Sequence, residues 1–444
     1  MSKFIKGALI VALLAVALVI RIAPAPYSSG SDIPQFAGFA DTFLRHGLCF
    51  FKYTDASNTV SEGWPYNWAY PYGPIWILLI APLRIISPDP VEFFWSGGHY
   101  FVYVPINWVV SVKSLLITAD ILVGVILIAY LWRKHSFAVG IAGGAAYLLN
   151  PMTIYISSIY GMFDQIVSVF LILSLILFDT RKLSSGFLAS LALLTKQVVL
   201  PSMIPMAVKV LGELKTYKRF ILGGLLGLAI LVAPFILGCL SSPLSVFSAM
   251  MFYQNPGYTH PVCYSFNGLS SLATYLHDVT GGDYTFLIKY WIIPYIILQA
   301  IALHYFLKTD DLIGATYLSY AAFIATFWRI NHQYLVPLIA LAVLAVPQIM
   351  RRWRTVSVVT VISSVLLPAV WPIMFPTSWW FHVHIKNPST WWISLIDKLT
   401  LMVFESGAYV AYSLVLTFSL YLTIVVWWFR GSGIFFSCLK SKNI

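Results

Sequence analysis

The sequence predicts an all-α polytopic membrane protein with about twelve transmembrane helices and two large outer loops. Of its 444 residues, 59% are hydrophobic and only 10% are charged, whereas soluble domains carry about 25% charged residues. Apolar runs of about twenty residues, the length that crosses the hydrocarbon of a bilayer, recur from residues 4–20 to residues 414–428. Helices are favoured over a β-barrel because barrel strands are short and alternate in hydrophobicity.

The net charge of +11 comes mainly from basic residues in short turns between apolar runs. Such turns usually lie in the cytoplasm, so no nucleic-acid partner is expected. One arrangement places all of these turns and both termini inside. Its twelve spans lie near residues 4–22, 105–132, 138–158, 165–180, 184–200, 201–213, 220–240, 286–307, 312–328, 334–350, 355–374 and 399–429.

The first apolar run is interpreted as a membrane span rather than a cleaved signal peptide. Lys3 and Lys6 precede it, as in a signal peptide, but Arg21 and Pro24 follow it and no small-x-small cleavage site is evident. The protein is therefore expected to be integral to the membrane from its first helix.

The same arrangement leaves two large loops on the outer face, residues 23–104 and 241–285. The apolar run 71–86 then belongs to the first loop, as a juxtamembrane or re-entrant helix, because it is short for a span and contains several prolines. The two short segments within 184–213 are broken by Pro201 and Pro205. They are predicted to be half-helices that leave backbone polar groups facing a cavity.

Two acidic residues follow the first predicted span. Asp32 lies directly after it, and Asp41 comes nine residues later. A carboxylate held against the outer end of a span is partly desolvated, which raises its pKa and suits it to accept a proton. Asp32 is therefore a candidate general base and Asp41 a candidate substrate contact. The alternative is a helix start, since Asp shortly before Pro34 is also favourable there.

A second group of polar residues interrupts apolar segments near the predicted outer surface. Asp164 ends the turn 161–164 and either contacts substrate or caps the following helix. Lys196 lies in an apolar stretch near the outer end of its span. A charge inside a membrane is costly and commonly functional, and Lys binds phosphate as a point charge. We therefore predict that Lys196 binds a phosphate, with a snorkelling lysine as the alternative.

The segment 329–334 begins a later span from the outer side. It brings a cation, a histidine and two amides together, which can hold a phosphate or sugar hydroxyls. Arg329 and His332 are predicted to bind phosphate, and Gln333 and Tyr334 to contact substrate. The alternative is an ordinary polar end of a span.

Two pairings of side chains are also considered. Lys113 and Asp120 are two helical turns apart and share a face of one span. They form an ion pair with each other or reach separate neighbours, and a proton relay is a further alternative. The four cysteines show no metal-binding spacing, and the outer loops allow a disulfide between Cys49 and Cys263.

In this order, these residues resemble the GT-C superfamily of membrane glycosyltransferases, which use sugars linked to polyprenyl phosphates. The nearest likeness is to the mannosyl- and glucosyltransferases of GPI-anchor and N-glycan assembly and to their prokaryotic relatives. The likeness covers residues 1–240 well and 241–444 loosely. It is carried by Ser31-Asp32, Tyr70-Pro71-Tyr72-Gly73-Pro74, the Lys113/Asp120 span, Asn150-Pro151, Gly161-Met162-Phe163-Asp164, Lys196 with Pro201, and His332-Gln333-Tyr334.

The resemblance implies an inverting glycosyltransferase acting on the outer face. It would move a hexose, with mannose favoured, from a polyprenyl phosphate such as dolichol phosphate to a lipid-linked glycan or another acceptor hydroxyl. Asp32 takes the place of the general base, Lys196 that of a basic residue near the lipid phosphate, and His332 that of a histidine at the donor phosphate. Tyr72 is expected to contact substrate.

The resemblance also implies a domain plan and a chemistry without cofactors. Residues 1–240 would form a conserved seven-span catalytic module, followed by the loop 241–285 and variable C-terminal spans in 286–444. No cofactor and no metal are expected, because the acid pairs of the oligosaccharyltransferase branch are not evident and Asp164 stands alone.

Two other functions are alternatives. A transporter or flippase of lipid-linked sugars predicts charged residues distributed through the middle of several spans. A metal-using enzyme like the oligosaccharyltransferases predicts more acidic residues in the outer loops around Asp164.

Overall fold

The computed structural model describes residues 2–96, 99–251, 255–260, 262, 265–350, 353–374, 394, 398 and 407–431, and its helices confirm the all-α prediction. The first half contains α1 (Lys3–Ile22), α2 (Asp32–His46), α3 (Thr59–Glu62), α4 (Pro74–Ile86), α5 (Ile106–Lys134), α6 (Phe137–Leu148), α7 (Pro151–Ile154), α8 (Asp164–Leu177), α9 (Lys182–Thr195), α10 (Leu200–Gly212) and α11 (Leu214–Gly238). The second half contains α12 (Ser245–Met250), α13 (Gly268–Thr280), α14 (Phe286–Lys289), α15 (Ile292–Thr309), α16 (Leu312–Thr326), α17 (Leu335–Ile349), α18 (Arg354–Val361), α19 (Leu367–Met374) and α20 (Gly407–Gly431).

Seven helical segments of the described chain are long and apolar enough to cross a membrane, and a bent pair makes an eighth. Five shorter apolar helices accompany them. From residue 221 to its end, α11 exposes apolar side chains, with Leu225 57% and Ile230 58% exposed, as expected for a surface covered by lipid. The spanning segments confirm an integral membrane protein, whereas the count of twelve spans and their orientation stay predictions.

The first helix is attached to the bundle mainly through one buried arginine. Within α1 the buried residues are Ala17 and Arg21. Arg21 Nε donates to Asp120 of α5 at 2.6 Å, and its terminal nitrogens reach the Leu148 carbonyl and the Thr153 hydroxyl at 2.7 and 3.1 Å. This ion pair is fully buried. Asp120 therefore pairs with Arg21 and not with Lys113, which confirms the alternative in which the two residues reach separate neighbours.

The predicted span 138–158 is bent by 50° between α6 and a helical segment that runs from Pro151 to Tyr160. Proline lacks a backbone N–H and is favoured in the first turn of a helix, and the Asn150 side chain accepts from the Met152 N–H at 2.9 Å. The second segment ends as a π-helix, Tyr155–Tyr160. The break frees the Leu148 carbonyl, and Arg21 satisfies it.

The predicted half-helices within 184–213 are confirmed as α9 and α10, but the break does not occur at the prolines. It occurs at Lys196, whose backbone is extended, and is followed by a short 3₁₀ segment at Gln197–Val199. Pro201 lies in the first turn of α10, where it costs no hydrogen bond. Lys196 therefore lies between the two helices and belongs to neither of them.

The predicted outer loop, residues 23–104, is largely structured. It contains α2, α3 and α4, several 3₁₀ turns, and an antiparallel hairpin of β1 (Glu92–Ser96) and β2 (His99–Tyr103). Helix α4 has 13 residues, or about 20 Å at 1.5 Å per residue, against about 30 Å of hydrocarbon. That length is consistent with the predicted juxtamembrane helix, whose placement stays a prediction.

A disulfide ties this loop to the end of the seventh predicted span. Cys49 is bonded to Cys239, the residue that follows α11. The predicted pairing of Cys49 with Cys263 is therefore wrong, and Cys263 itself lies outside the described residues. The sequence allowed a link between cysteines of the two predicted outer loops, whereas the fold brings the end of α11 against the 3₁₀ turn Gly47–Tyr53 that carries Cys49.

Candidate active site

A cavity of about 700 Å³ opens among the loop 23–104, the end of the π-helix, the α9–α10 break and the segment before α17. A volume of this size is within the range of small-molecule sites in proteins. Of the predicted site residues, seven line the cavity: Asp32, Tyr72, Lys196, Arg329, His332, Gln333 and Tyr334. The fold thus brings together residues that are up to three hundred positions apart.

Asp32 is the first residue of α2 and accepts a hydrogen bond from the Tyr160 hydroxyl. Burial raises the pKa of the Asp32 carboxyl above its ordinary value, while the Tyr160 hydrogen bond and attraction to Lys196 offset part of this effect. A raised pKa makes the ionised carboxylate a better proton acceptor. This environment agrees with the one expected for a general base.

The approach of Asp32 to Tyr160 depends on the glycine two residues earlier. The Gly30 N–H donates to the Tyr160 carbonyl at 2.6 Å. A Cβ atom at Gly30 would lie 2.6 Å from the Tyr160 ring, too close for any other residue without movement of the chain. Glycine therefore permits the backbone contact that places Asp32.

Lys113 of α5 binds both segments that meet at the Gly30–Tyr160 contact. Its ammonium donates to the carbonyls of Ala25 and Ile159, both at 3.0 Å, and to the carbonyl of Ser28. These oxygens belong to the segment that leads into Asp32 and to the residue before Tyr160. Lys113 therefore stabilises the relative positions of the two partners.

Lys196 forms a buried ion pair with Asp164, the first residue of α8. The Lys196 ammonium lies 3.0 and 2.8 Å from the two Asp164 carboxylate oxygens, and the two side chains are 3% and 0% exposed. Asp164 lies behind Lys196 and is not among the residues that line the cavity. The structure thus gives Asp164 a partner in Lys196, and its predicted contact with substrate stays a prediction.

Aromatic rings surround the Lys196 ammonium. The ring centres of Tyr334, Phe163 and Tyr72 lie 4.8, 5.1 and 5.7 Å from it. Aromatic faces attract a cation and tolerate its burial. The lysine is held at the cavity wall by these rings and by Asp164, which agrees less with a snorkelling role because its side chain stays inside the protein.

Three residues of the cavity wall have buried polar atoms that lack a hydrogen-bond partner among the described residues: Gln197 Oε1, His332 Nε2 and Gln333 Oε1. The His332 ring also packs edge-on against Tyr160 at 4.3 Å between ring centres. Buried polar atoms are nearly always paired. A polar ligand in the cavity would satisfy these atoms.

Asp41 lies outside this arrangement. Both of its carboxylate oxygens accept from the Arg84 guanidinium of α4, at 2.7 and 3.0 Å, and it is not among the residues that line the cavity. Its role in the structure is to join α2 to α4.

Within the described residues, no group of three or more His, Cys, Asp or Glu is arranged to hold a metal ion.

Sequence reasoning missed Tyr160 and Gln197. Neither belongs to a charged pattern, and both are brought to the cavity by helix breaks that only the structure shows. A tyrosine directly before the predicted turn at Gly161 was the one available signal for Tyr160.

Neither family models nor curated proteins match this chain. Among solved structures, it is similar to ArnT from Cupriavidus metallidurans bound to undecaprenyl phosphate, with 15% identity, a TM-score of 0.49, and coverage of 95% of this chain and 77% of that one. The apo state of the same protein gives 13% identity, a TM-score of 0.47, and coverage of 95% and 76%. Because both TM-scores are below 0.5, this likeness does not by itself establish a shared fold.

Proposed function

We propose that the protein is an inverting GT-C-type glycosyltransferase that moves a hexose from a polyprenyl phosphate to an acceptor hydroxyl. The observation that carries the proposal is that Asp32, Lys196 and His332 line one cavity in a helical membrane protein. The cavity thus supplies a proton acceptor, a cation and an unpaired imidazole nitrogen, as transfer from a lipid phosphate requires.

In the proposed step, the Asp32 carboxylate accepts the proton of an acceptor hydroxyl. The acceptor oxygen forms a bond to the anomeric carbon of the donor from the face opposite the phosphate. The bond between that carbon and the phosphate oxygen breaks, and the electron pair leaves with the polyprenyl phosphate. Inversion follows because the displacement is direct, and the single base distinguishes it from the two-carboxylate chemistry of glycosidases.

The leaving phosphate is an anion and requires stabilisation of charge rather than a general acid. Lys196 has three N–H donors, and contacts to the two Asp164 oxygens account for at most two. The third is available to a phosphate oxygen. In the tautomer with its proton on Nε2, His332 donates a second hydrogen bond, and Arg329 supplies positive charge to the same cavity.

The Cys49–Cys239 disulfide supports placement of the site on the outer face. Disulfides persist mainly in oxidising compartments outside the cytoplasm, and Cys49 belongs to the same loop as Asp32. The basic turns predicted to be cytoplasmic support the same orientation. On this proposal both termini are cytoplasmic, residues 1–240 form the catalytic module, and mannose is the favoured sugar.

The proposal is tested by incubating the purified protein with radiolabelled polyprenyl-phosphate mannose, glucose and other hexoses and mapping the products. Transfer from at least one donor is expected, with inversion at the labelled carbon. The matched control is Asp32→Asn, which keeps the size of the side chain but cannot accept the proton. Transport of intact donor across vesicles without transfer would instead identify a flippase and reject the proposal.

A further inference from the structure

The cavity wall includes one ring of an aromatic pair that the proposed transfer step does not use. The rings of Tyr66 and Trp68 are stacked, with centres 4.6 Å apart and planes at 17°. Trp68 keeps 42% of its surface exposed and lines the cavity. An exposed tryptophan that is stacked on one side presents a flat apolar face to the cavity.

The pair is rigidly attached to the helix of the candidate base. The Gln35 side chain accepts from the Tyr66 N–H at 3.1 Å and donates to the Trp68 carbonyl at 3.0 Å. Gln35 is 2% exposed and follows Asp32 by three residues on α2, so the two side chains lie on the same side of the helix. One buried amide thus sets the distance between the aromatic pair and Asp32.

The hairpin of the outer loop supports the pair from behind. Tyr100 of β2 packs edge-on against Tyr66 with ring centres 6.0 Å apart. Its hydroxyl donates to the carbonyl of Pro65, the residue before Tyr66. The backbone of this segment is therefore held on both sides, and the Trp68 ring is preorganised without a ligand.

We infer that Trp68 is the stacking platform of an acceptor subsite for a pyranose ring, so that the acceptor is itself a glycan or glycolipid. The inference rests on the proposed function. Pyranose rings have an apolar C–H face that packs on aromatic rings, while their hydroxyls bind polar groups. The platform is connected to Asp32, which must meet the acceptor hydroxyl, and has no such connection to Lys196 or His332 among the described contacts.

The test compares Trp68→Ala, Trp68→Phe and Trp132→Ala. Trp132 is a matched control because it is 40% exposed, close to the exposure of Trp68, but lies in the last turn of α5 and does not line the cavity. Binding of methyl mannoside and methyl glucoside to the purified protein is measured by ligand-observed NMR, with glycerol as an open-chain polyol. Binding of radiolabelled polyprenyl phosphate is measured on the same preparations.

We expect both methyl glycosides, but not glycerol, to bind the wild type and Trp132→Ala. Trp68→Ala should raise their dissociation constants by about tenfold, the worth of a good aromatic contact, and Trp68→Phe by less because a ring remains. Polyprenyl phosphate binding should be unchanged in all three variants. Equal glycoside binding by Trp68→Ala and the wild type, or no binding by the wild type, would overturn the inference.

Two outcomes separate this inference from the proposed function. Binding of radiolabelled polyprenyl-phosphate mannose is therefore measured as well. If Trp68→Ala weakens it, the platform serves the donor sugar, and the acceptor subsite is rejected while the transfer reaction stands. If the wild type binds methyl glycosides through Trp68 but does not bind polyprenyl phosphate, the proposed function fails and only a sugar-binding site remains.

Discussion

The buried pair of Lys196 and Asp164 allows donor binding to be separated from structural support. Replacing either partner alone leaves an uncompensated charge in a site where the side chains are 3% and 0% exposed. Lys196→Met or Asp164→Leu should therefore lower the free energy of unfolding by about 3–5 kcal/mol. The double variant should recover most of that loss, because an apolar pair of similar volume replaces a buried ion pair at little cost.

Donor affinity should behave differently in the same series. If the third Lys196 N–H donates to the donor phosphate, its loss costs about 1.5–3 kcal/mol, or roughly 10- to 150-fold in affinity. The double variant should therefore be stable but still bind polyprenyl phosphate weakly. Lys196→Arg should bind polyprenyl phosphate more tightly than Lys196→Met but less tightly than the wild type. The reason is that a planar guanidinium replaces the compact ammonium group.

Reversible unfolding in detergent micelles and binding of radiolabelled polyprenyl phosphate provide the two measurements. The control is Lys209→Met, which removes a 3.0 Å pair whose Asp310 carboxylate is 76% exposed. That change should cost less than about 1 kcal/mol and leave binding unchanged. A double variant with wild-type donor affinity would refute the phosphate-binding role and leave Lys196 a structural partner of Asp164.

The remaining predictions concern the base, its pKa, metal ions and the orientation of the chain. Asp32→Asn should lower the single-turnover rate by roughly 10²–10⁴ with near-normal donor affinity; normal turnover would reject Asp32 as the base. Because burial raises the pKa of Asp32, turnover should fall on acidification at a higher pH than for an exposed aspartate. Tyr160→Phe removes a hydrogen bond that lowers this pKa, so its acid limb should move to still higher pH; movement to lower pH would contradict the assignment. Turnover should survive EDTA, and a loss restored by Mn²⁺ or Mg²⁺ would indicate a metal-using enzyme. Cysteines placed at Ser136 and Thr355, both exposed, should be labelled only from the cytoplasm; labelling from outside would reject the orientation.

The all-α membrane class followed from the sequence because burial in lipid requires long apolar helices. Such helices appear in the sequence as a high hydrophobic fraction and as recurring apolar runs of about twenty residues. The candidate site was also largely predictable. Lys196 is a charged residue in an apolar stretch, and such a residue requires a partner or a function wherever the chain places it. His332 belongs to a polar segment at the start of a later span. Asp32 was marked by its position at the end of a span.

The partners of these residues were decided by the tertiary structure. Asp120 pairs with Arg21 and not with Lys113 of its own helix, Asp164 pairs with Lys196, and Cys49 pairs with Cys239. In each case the sequence shows that a partner is needed but contains several candidates of suitable chemistry. Which candidate comes within bonding distance depends on how the helices pack and where they break.

The same reason explains why Tyr160, Gln35 and Trp68 were not singled out. Each is an ordinary residue in a chain rich in aromatics, and its place at the cavity depends on long-range contacts, such as the Gly30–Tyr160 backbone bond and the two Gln35 bonds. Local sequence determines helix and solvent preference through short-range energetics. Contacts between distant segments are set only when the whole chain is packed.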